Sequence, residues 1–115
     1  MAKLSVTLGF ALLACTDAGV PSDKQDYLGR WKGPRTVLEI RFDGQVRYSA
    51  FLAHAHRRVS GTIRAFDGDD FIVGWPWGTR FRVGRPPFLS NGRWKIIVND
   101  VELERVSDLD EVIDV

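Results

Sequence analysis

Two histidines, His54 and His56, are the only imidazoles in the 115-residue chain. They stand in Ala53-His54-Ala55-His56-Arg57-Arg58, and an i, i+2 spacing puts both on one face of a strand. His-x-His in that setting can supply two ligands to zinc or copper. A structural or catalytic site needs further donors, and Arg57 and Arg58 would repel a cation. The alternative is a pair of solvated imidazoles at a loop or an edge. Asp67, Asp69 and Asp70 cluster within four residues, but they lack the oxygen-rich loop and bidentate Glu of a calcium-binding EF-hand. They read as turn chemistry between strands. Ser49, Ser60 and Ser90 have no Gly-x-Ser-x-Gly setting. Gly74 and Gly78 bracket Trp-Pro-Trp with no Gly-Lys-Ser/Thr after them, so no phosphate-cradling loop is present. No enzyme and no cofactor are expected.

Residue types suited to surface recognition are clearer. Trp75-Pro76-Trp77-Gly78 places two indoles around a proline. Residues i and i+2 share a face and Pro breaks a ladder, so both cannot enter a small core unless the chain bends. With Arg80 and Arg82 nearby, Trp75 and Trp77 have the composition of a partner contact, Trp, Tyr and Arg being the usual hot-spot residues. Alternatively one or both cap the open end of a barrel. Arg85-Pro86-Pro87-Phe88 is a second protruding candidate, which would present Phe88 on a rigid extended backbone.

The elements that carry these residues read as strands. Val37 to Phe42 and Val46 to Leu52 alternate with period two around Asp43-Gly44-Gln45, with Leu38, Ile40 and Phe42 on one side and Glu39 and Arg41 on the other. Gly44 supplies the positive φ of the turn. Val59 to Phe66 and Phe71 to Trp75 flank Asp67-Gly68-Asp69-Asp70. Thr79 to Val83 follows, and Gly84-Arg85-Pro86-Pro87 breaks the pattern. Arg93 to Val98 and Val101 to Val106 make a last hairpin around Asn99-Asp100, with Trp94, Ile96, Val98, Val101 and Leu103 as core candidates. A first strand lies around Tyr27 to Lys32. Seven or eight short strands without a sustained helical period predict an all-β fold, a sandwich or a small antiparallel meander barrel. The barrel is preferred because closure removes edge strands.

Ahead of this region, a lone Lys3 precedes a short apolar run that ends in Leu12-Leu13-Ala14-Cys15. Leu4 to Ala14 is too short for a bilayer, which takes roughly 20 apolar residues, and falls in the signal h-region range of about 7 to 15. The motif resembles the lipobox of bacterial lipoproteins. That resemblance implies a signal peptide over 1–14, cleavage before Cys15 and diacylglyceryl attachment to its sulfur. Thr16 after the Cys is similar to the pattern of outer-membrane sorting, which implies a lipid-anchored envelope protein facing the periplasm. Cys15 is the single cysteine, so lipidation would leave no thiol for disulfide, zinc or nucleophile chemistry. Residues 15–26 are polar and turn-rich and read as a linker between lipid and domain.

The domain itself spans 27–106. Gly29-Arg30-Trp31 at its start and Leu103-Glu104-Arg105 at its end resemble the Gly-x-Trp and terminal-strand Arg of lipocalin and calycin barrels. In that family the Trp plugs the barrel and the Arg stacks on its ring, which implies Trp31 as plug and Arg105 as lid. The domain is shorter than a lipocalin, so its core is expected to be mostly filled.

The net charge of +1 hides a segregation. Residues 27–106 hold 14 Lys plus Arg against 8 Asp plus Glu, a balance of +6, while 15–26 carry −2 and the tail 107–115 carries −4. The acidic tail could fold onto the basic body or be solvated. The arginines alternate along strands without a basic cluster, so nucleic acid is not an expected partner. Three classes survive: a non-enzymatic envelope module that binds a small apolar ligand or an envelope protein, a periplasmic enzyme inhibitor using loop 75–78 or 84–91, and a metal carrier through His54 and His56.

Overall fold

The computed structural model of the chain describes residues 19–106. Cys15 and the acidic tail 107–115 lie outside the described residues. A 3-10 helix, Ser22–Tyr27, leads into nine strands: β1 Gly29–Gly33, β2 Thr36–Ile40, β3 Gln45–Phe51, β4 His56–Asp67, β5 Asp70–Val73, β6 Thr79–Phe81, β7 Val83–Ser90, β8 Arg93–Val98 and β9 Val101–Val106. All pairings are antiparallel and make one sheet, ordered β6-β5-β4-β3-β2-β1-β9-β8-β7, curled into a half-barrel. The all-β antiparallel barrel read from the alternation is present, with nine strands in place of seven or eight.

The extra strand comes from the segment that prolines were expected to break. Pro86 and Pro87 sit within β7, which is a sheet edge and pairs only with β8. An edge strand can lack N–H donors on its open side, and the ladder shifts register between Val83 and Arg85 and again between Arg85 and Phe88. Residues 84–91 are therefore mostly strand and do not protrude as a loop.

The two sheet edges, β6 and β7, are separated in sequence by Arg82 alone. At this corner, side chains replace the missing ladder. The Val83 N–H donates to Asp70 Oδ1 at 2.8 Å, the Arg82 N–H donates to Asn99 Oδ1 at 3.0 Å, and the Asn99 N–H returns to the Arg82 carbonyl at 2.7 Å.

The turns follow their residues. Asn99 and Asp100 have φ of 50° and 68°, and Asn91 and Gly92 have 54° and 77°. Positive φ at both central positions is what a two-residue hairpin compatible with strand twist requires.

Inside, apolar residues from all parts of the sheet meet. Trp31, Leu38, Ile40, Val46, Phe71, Val73, Phe81, Ile96, Val98 and Leu103 are all fully buried. An aromatic run crosses the interior, from Tyr48 edge-on to Phe81 at 5.0 Å, to Phe71 stacked at 5.0 Å, to Tyr27 edge-on at 6.2 Å. Rings at these separations fill space that a calyx would leave open.

Three further expectations need correction. Residues 19–26 are folded, not a free linker: Val20 and Tyr27 are buried, and Gln25 Nε2 donates to the Val20 carbonyl at 2.8 Å. Six residues of 3-10 helix, kinked at Lys24, are too few to display a period. Phe42 is 75% exposed because β2 ends at Ile40 and the turn carries Phe42 away from the core. Trp94 shares the inward phase of Ile96 and Val98 but lies at the strand end, where the half-barrel no longer covers it.

Candidate functional site

Trp75 and Trp77 lie in the connection between β5 and β6, at 80% and 85% exposure. Gly74 and Gly78 flank them with φ of 96° and 80°. At Gly78 a Cβ would come within 2.6 Å of Ile72 Cγ2, so glycine is needed for both angle and space. The loop is braced. Arg64 of β4 donates from Nη1 to the Pro76 carbonyl at 2.6 Å, and its guanidinium carbon lies 5.4 Å from the Trp75 ring centroid. The Gly74 N–H donates to the Thr62 carbonyl at 2.9 Å. Both indoles are thus held outward at fixed roots, and neither caps the core. A depression of about 460 Å³ runs beside the loop, lined by Ser60, Thr62, Arg64 and Trp75 among others.

Phe88 is half-buried within β7, under the Arg85 guanidinium at 3.8 Å from its ring centroid. It is a strand residue covered by its own neighbour and not the tip of a loop. The exposed apolar residue of this strand is Leu89, which sequence spacing did not single out.

Trp31 is fully buried, and Arg105 is its direct partner across the β9–β1 ladder. The guanidinium carbon sits 4.6 Å from the Trp31 ring centroid and 5.5 Å from that of Trp94. Arg105 also donates from Nη2 to the Asp26 carbonyl, while its buried Nε has no hydrogen-bond partner. Burial draws this guanidinium below the ordinary arginine value, opposed by the Asp26 charge. On the far side, Trp31 Nε1 donates to the Tyr27 carbonyl at 3.0 Å.

The two histidines lie on different elements. His54 falls in the bend between β3 and β4, and His56 opens β4. His56 Nε2 is 2.7 Å from Ser49 Oγ, and its ring stacks on Phe51 at 4.1 Å. A Ser–His hydrogen bond is the beginning of nucleophile activation, but no carboxylate orients the other ring nitrogen among the described residues. Nor do the described residues contain a group of three or more His, Cys, Asp or Glu placed to hold a metal.

The aspartates serve the fold. Arg80 reaches Asp67 Oδ2 from Nη2 at 2.8 Å and Asp70 Oδ2 from Nη1 at 3.0 Å. The Val83 N–H and then Arg80 hold the Asp70 carboxyl below its usual value, and the two carboxylates raise Arg80. The Asp69 carbonyl accepts from the Tyr27 hydroxyl at 2.8 Å, and burial followed by the charges of Asp69 and Asp70 pushes that phenol well above its ordinary value.

No protein-family model, curated protein or solved structure matches this chain. What it does must be judged from its own residues. Those residues supply a braced, outward-facing pair of tryptophans on a filled barrel, and among the described residues no assembled catalytic or metal-binding group.

Proposed function

We propose that this chain is a lipid-anchored, non-enzymatic interaction module of the bacterial cell envelope, which recognises a macromolecular partner with its surface. The observation that carries this reading is the exposure of Trp75 and Trp77, at 80% and 85%, on a loop braced by Arg64. Large aromatics carried on a braced backbone bring contact area at a reduced cost in conformational entropy. The filled interior counts against a small apolar ligand in a calyx.

The anchor is part of the same proposal. Leu12-Leu13-Ala14-Cys15 supports lipidation of Cys15 and an outer-membrane position facing the periplasm. The Gly29-Arg30-Trp31 opening with Arg105 on its ring supports a distant likeness to lipocalin and calycin barrels, without the roomy ligand site. Where the partner is a periplasmic enzyme, the same loop would act as an inhibitory plug. The exposed tryptophans favour 75–78 for that role over 84–91.

Native mass spectrometry of the mature chain, residues 15–115, tests surface recognition against the calyx. Equal native and denatured masses are expected. A mass excess that disappears on denaturing would mean a bound small molecule or metal and would overturn the surface reading.

A further inference from the structure

An open half of strand β4 stands beside the tryptophan loop. β4 pairs with β3 from His56 to Thr62, but with β5 only from Ile63 to Asp67. Beyond Val73, β5 ends, and the Gly74 N–H on the Thr62 carbonyl is its last bond to β4. Among the described residues, no strand pairs with the outer edge of His56 to Ser60.

Ladder parity identifies the free groups. Leu52 and Ala55 exchange both backbone hydrogen bonds at the hairpin turn, and the Ile63 N–H donates to the Gly44 carbonyl at 2.8 Å. Bonded pairs in an antiparallel ladder recur at every second residue, so Arg57, Val59 and Gly61 bond to β3. The N–H and C=O groups of His56, Arg58 and Ser60 therefore point the other way, toward the open side.

The sheet's outermost strands offer no such row. β7 is interrupted by Pro86 and Pro87, and β6 is three residues long. Short strands and prolines are the usual protections of sheet edges. The open half of β4 carries instead Arg57 and Arg58, with Arg47 directly opposite Ser60. Neither β3 nor β4 has an acidic residue before Asp67, and Arg57 and Arg58 have no acidic partner among the described residues. Two copies pairing antiparallel through this edge would bring like charges together, whereas an acidic strand would neutralise them.

We propose that the His56 to Ser60 edge of β4 receives an extended acidic segment of a partner protein as an added strand, with the Trp75-Pro76-Trp77 loop contacting its end. This rests on the surface-recognition reading and names its partner class. Backbone bonds to His56, Arg58 and Ser60 would supply affinity, and Arg57, Arg58 and Arg64 would select charge.

The test is amide hydrogen exchange by NMR on the full mature chain, with a synthetic peptide of alternating Asp and Val as probe and its Lys and Val counterpart as control. Without peptide, the amides of His56, Arg58 and Ser60 should exchange freely while those of Arg57, Val59 and Gly61 are protected. The acidic peptide should slow the first set by about tenfold or more, and the basic peptide should not. Ser60→Pro removes one edge donor that β3 does not use, and should abolish this protection. If that variant misfolds, the double change Arg57→Glu and Arg58→Glu should reverse the preference between the peptides.

Protection by both peptides alike, or by neither at millimolar concentration, overturns the proposal. So does protection already present in the full chain and lost on removing 107–115, which would make the chain's own tail the occupant. Protection that grows with protein concentration alone would identify a second copy and also overturn it. Peptide binding that perturbs the Trp75 and Trp77 indole signals without slowing the edge amides overturns strand addition and leaves recognition by the loop standing.

Discussion

Arg105 and Trp31 face each other directly across the β9–β1 ladder, with the guanidinium carbon 4.6 Å from the indole ring centroid. The first prediction concerns this pair. Truncating Arg105 removes a partly desolvated cation–π contact and a charged hydrogen bond to the Asp26 carbonyl. Arg105→Ala should lower stability by about 1–3 kcal/mol in urea unfolding. Combined with Trp31→Phe, the loss should be smaller than the sum of the single changes by about 0.5 kcal/mol or more, because each variant breaks the same contact. Additive losses would mean that the two residues are adjacent without being coupled.

The Tyr27 phenol gives a prediction at high pH. Its folded value is raised above the ordinary 10.0, first by burial and then by Asp69 and Asp70. The folded state keeps the proton where the unfolded state releases it, so this contribution to stability is present below pH 10 and is lost as pH rises above it. Thermal unfolding should show a falling midpoint above pH 10, and Tyr27→Phe should flatten that fall while costing about 0.5–1.5 kcal/mol at neutral pH from the lost bond to the Asp69 carbonyl. An equally steep fall in the variant would place the alkaline transition elsewhere.

At the acidic end, Asp70 is the sensitive group. Its carboxyl is held below 3.8 by the Val83 N–H, and then by Arg80, so its stabilising effect is complete above that value and is lost as pH falls through the lower folded value. Asp70→Asn should make acid unfolding less steep and loosen the corner where β6 meets β7, read as faster amide exchange at Val83. Unchanged exchange there would show that the Asn99 contacts hold the corner alone.

Much of the fold is legible in the residues. Alternation in 37–42, 46–52 and 101–106 places strands and their inward faces, and Asp-Gly and Asn-Asp place turns. Phe42 and Trp94 show where alternation stops being informative, since it gives the phase of a residue and not whether the sheet still covers it at the strand end. The burial of Val20 and Tyr27 is hidden because Val20 precedes the helix and six kinked residues of 3-10 helix are too few to display a period. The prolines of β7 read as a break because their tolerance depends on lying at an edge, a property of strand order. The open half of β4 depends on β5 stopping at Val73 while β4 runs on to His56, a mismatch of lengths that no residue type announces. Trp75 and Trp77 were legible as a pair, but the tie of their loop to β4 rests on Arg64, eleven positions before Trp75, at the Pro76 carbonyl and the Trp75 ring.

Cys15 gives the anchor prediction. In bacterial cells fed an alkyne-bearing fatty acid, the wild-type chain should take up label and sediment with membranes, and Cys15→Ser should do neither. A labelled serine variant, or an unlabelled wild type, would remove the lipid anchor.

The most direct measurement of the central claim is site-specific photo-crosslinking in living cells, with the photoreactive residue at position 77 and, as a control, at the exposed turn position 43. Trp75→Ala, which should change stability by no more than about 0.5 kcal/mol because the ring is exposed, provides the second control. A discrete adduct of one mass is expected from position 77, absent from position 43 and weakened by Trp75→Ala. No adduct at 77, or equal adducts at both positions, would contradict recognition through the tryptophan loop.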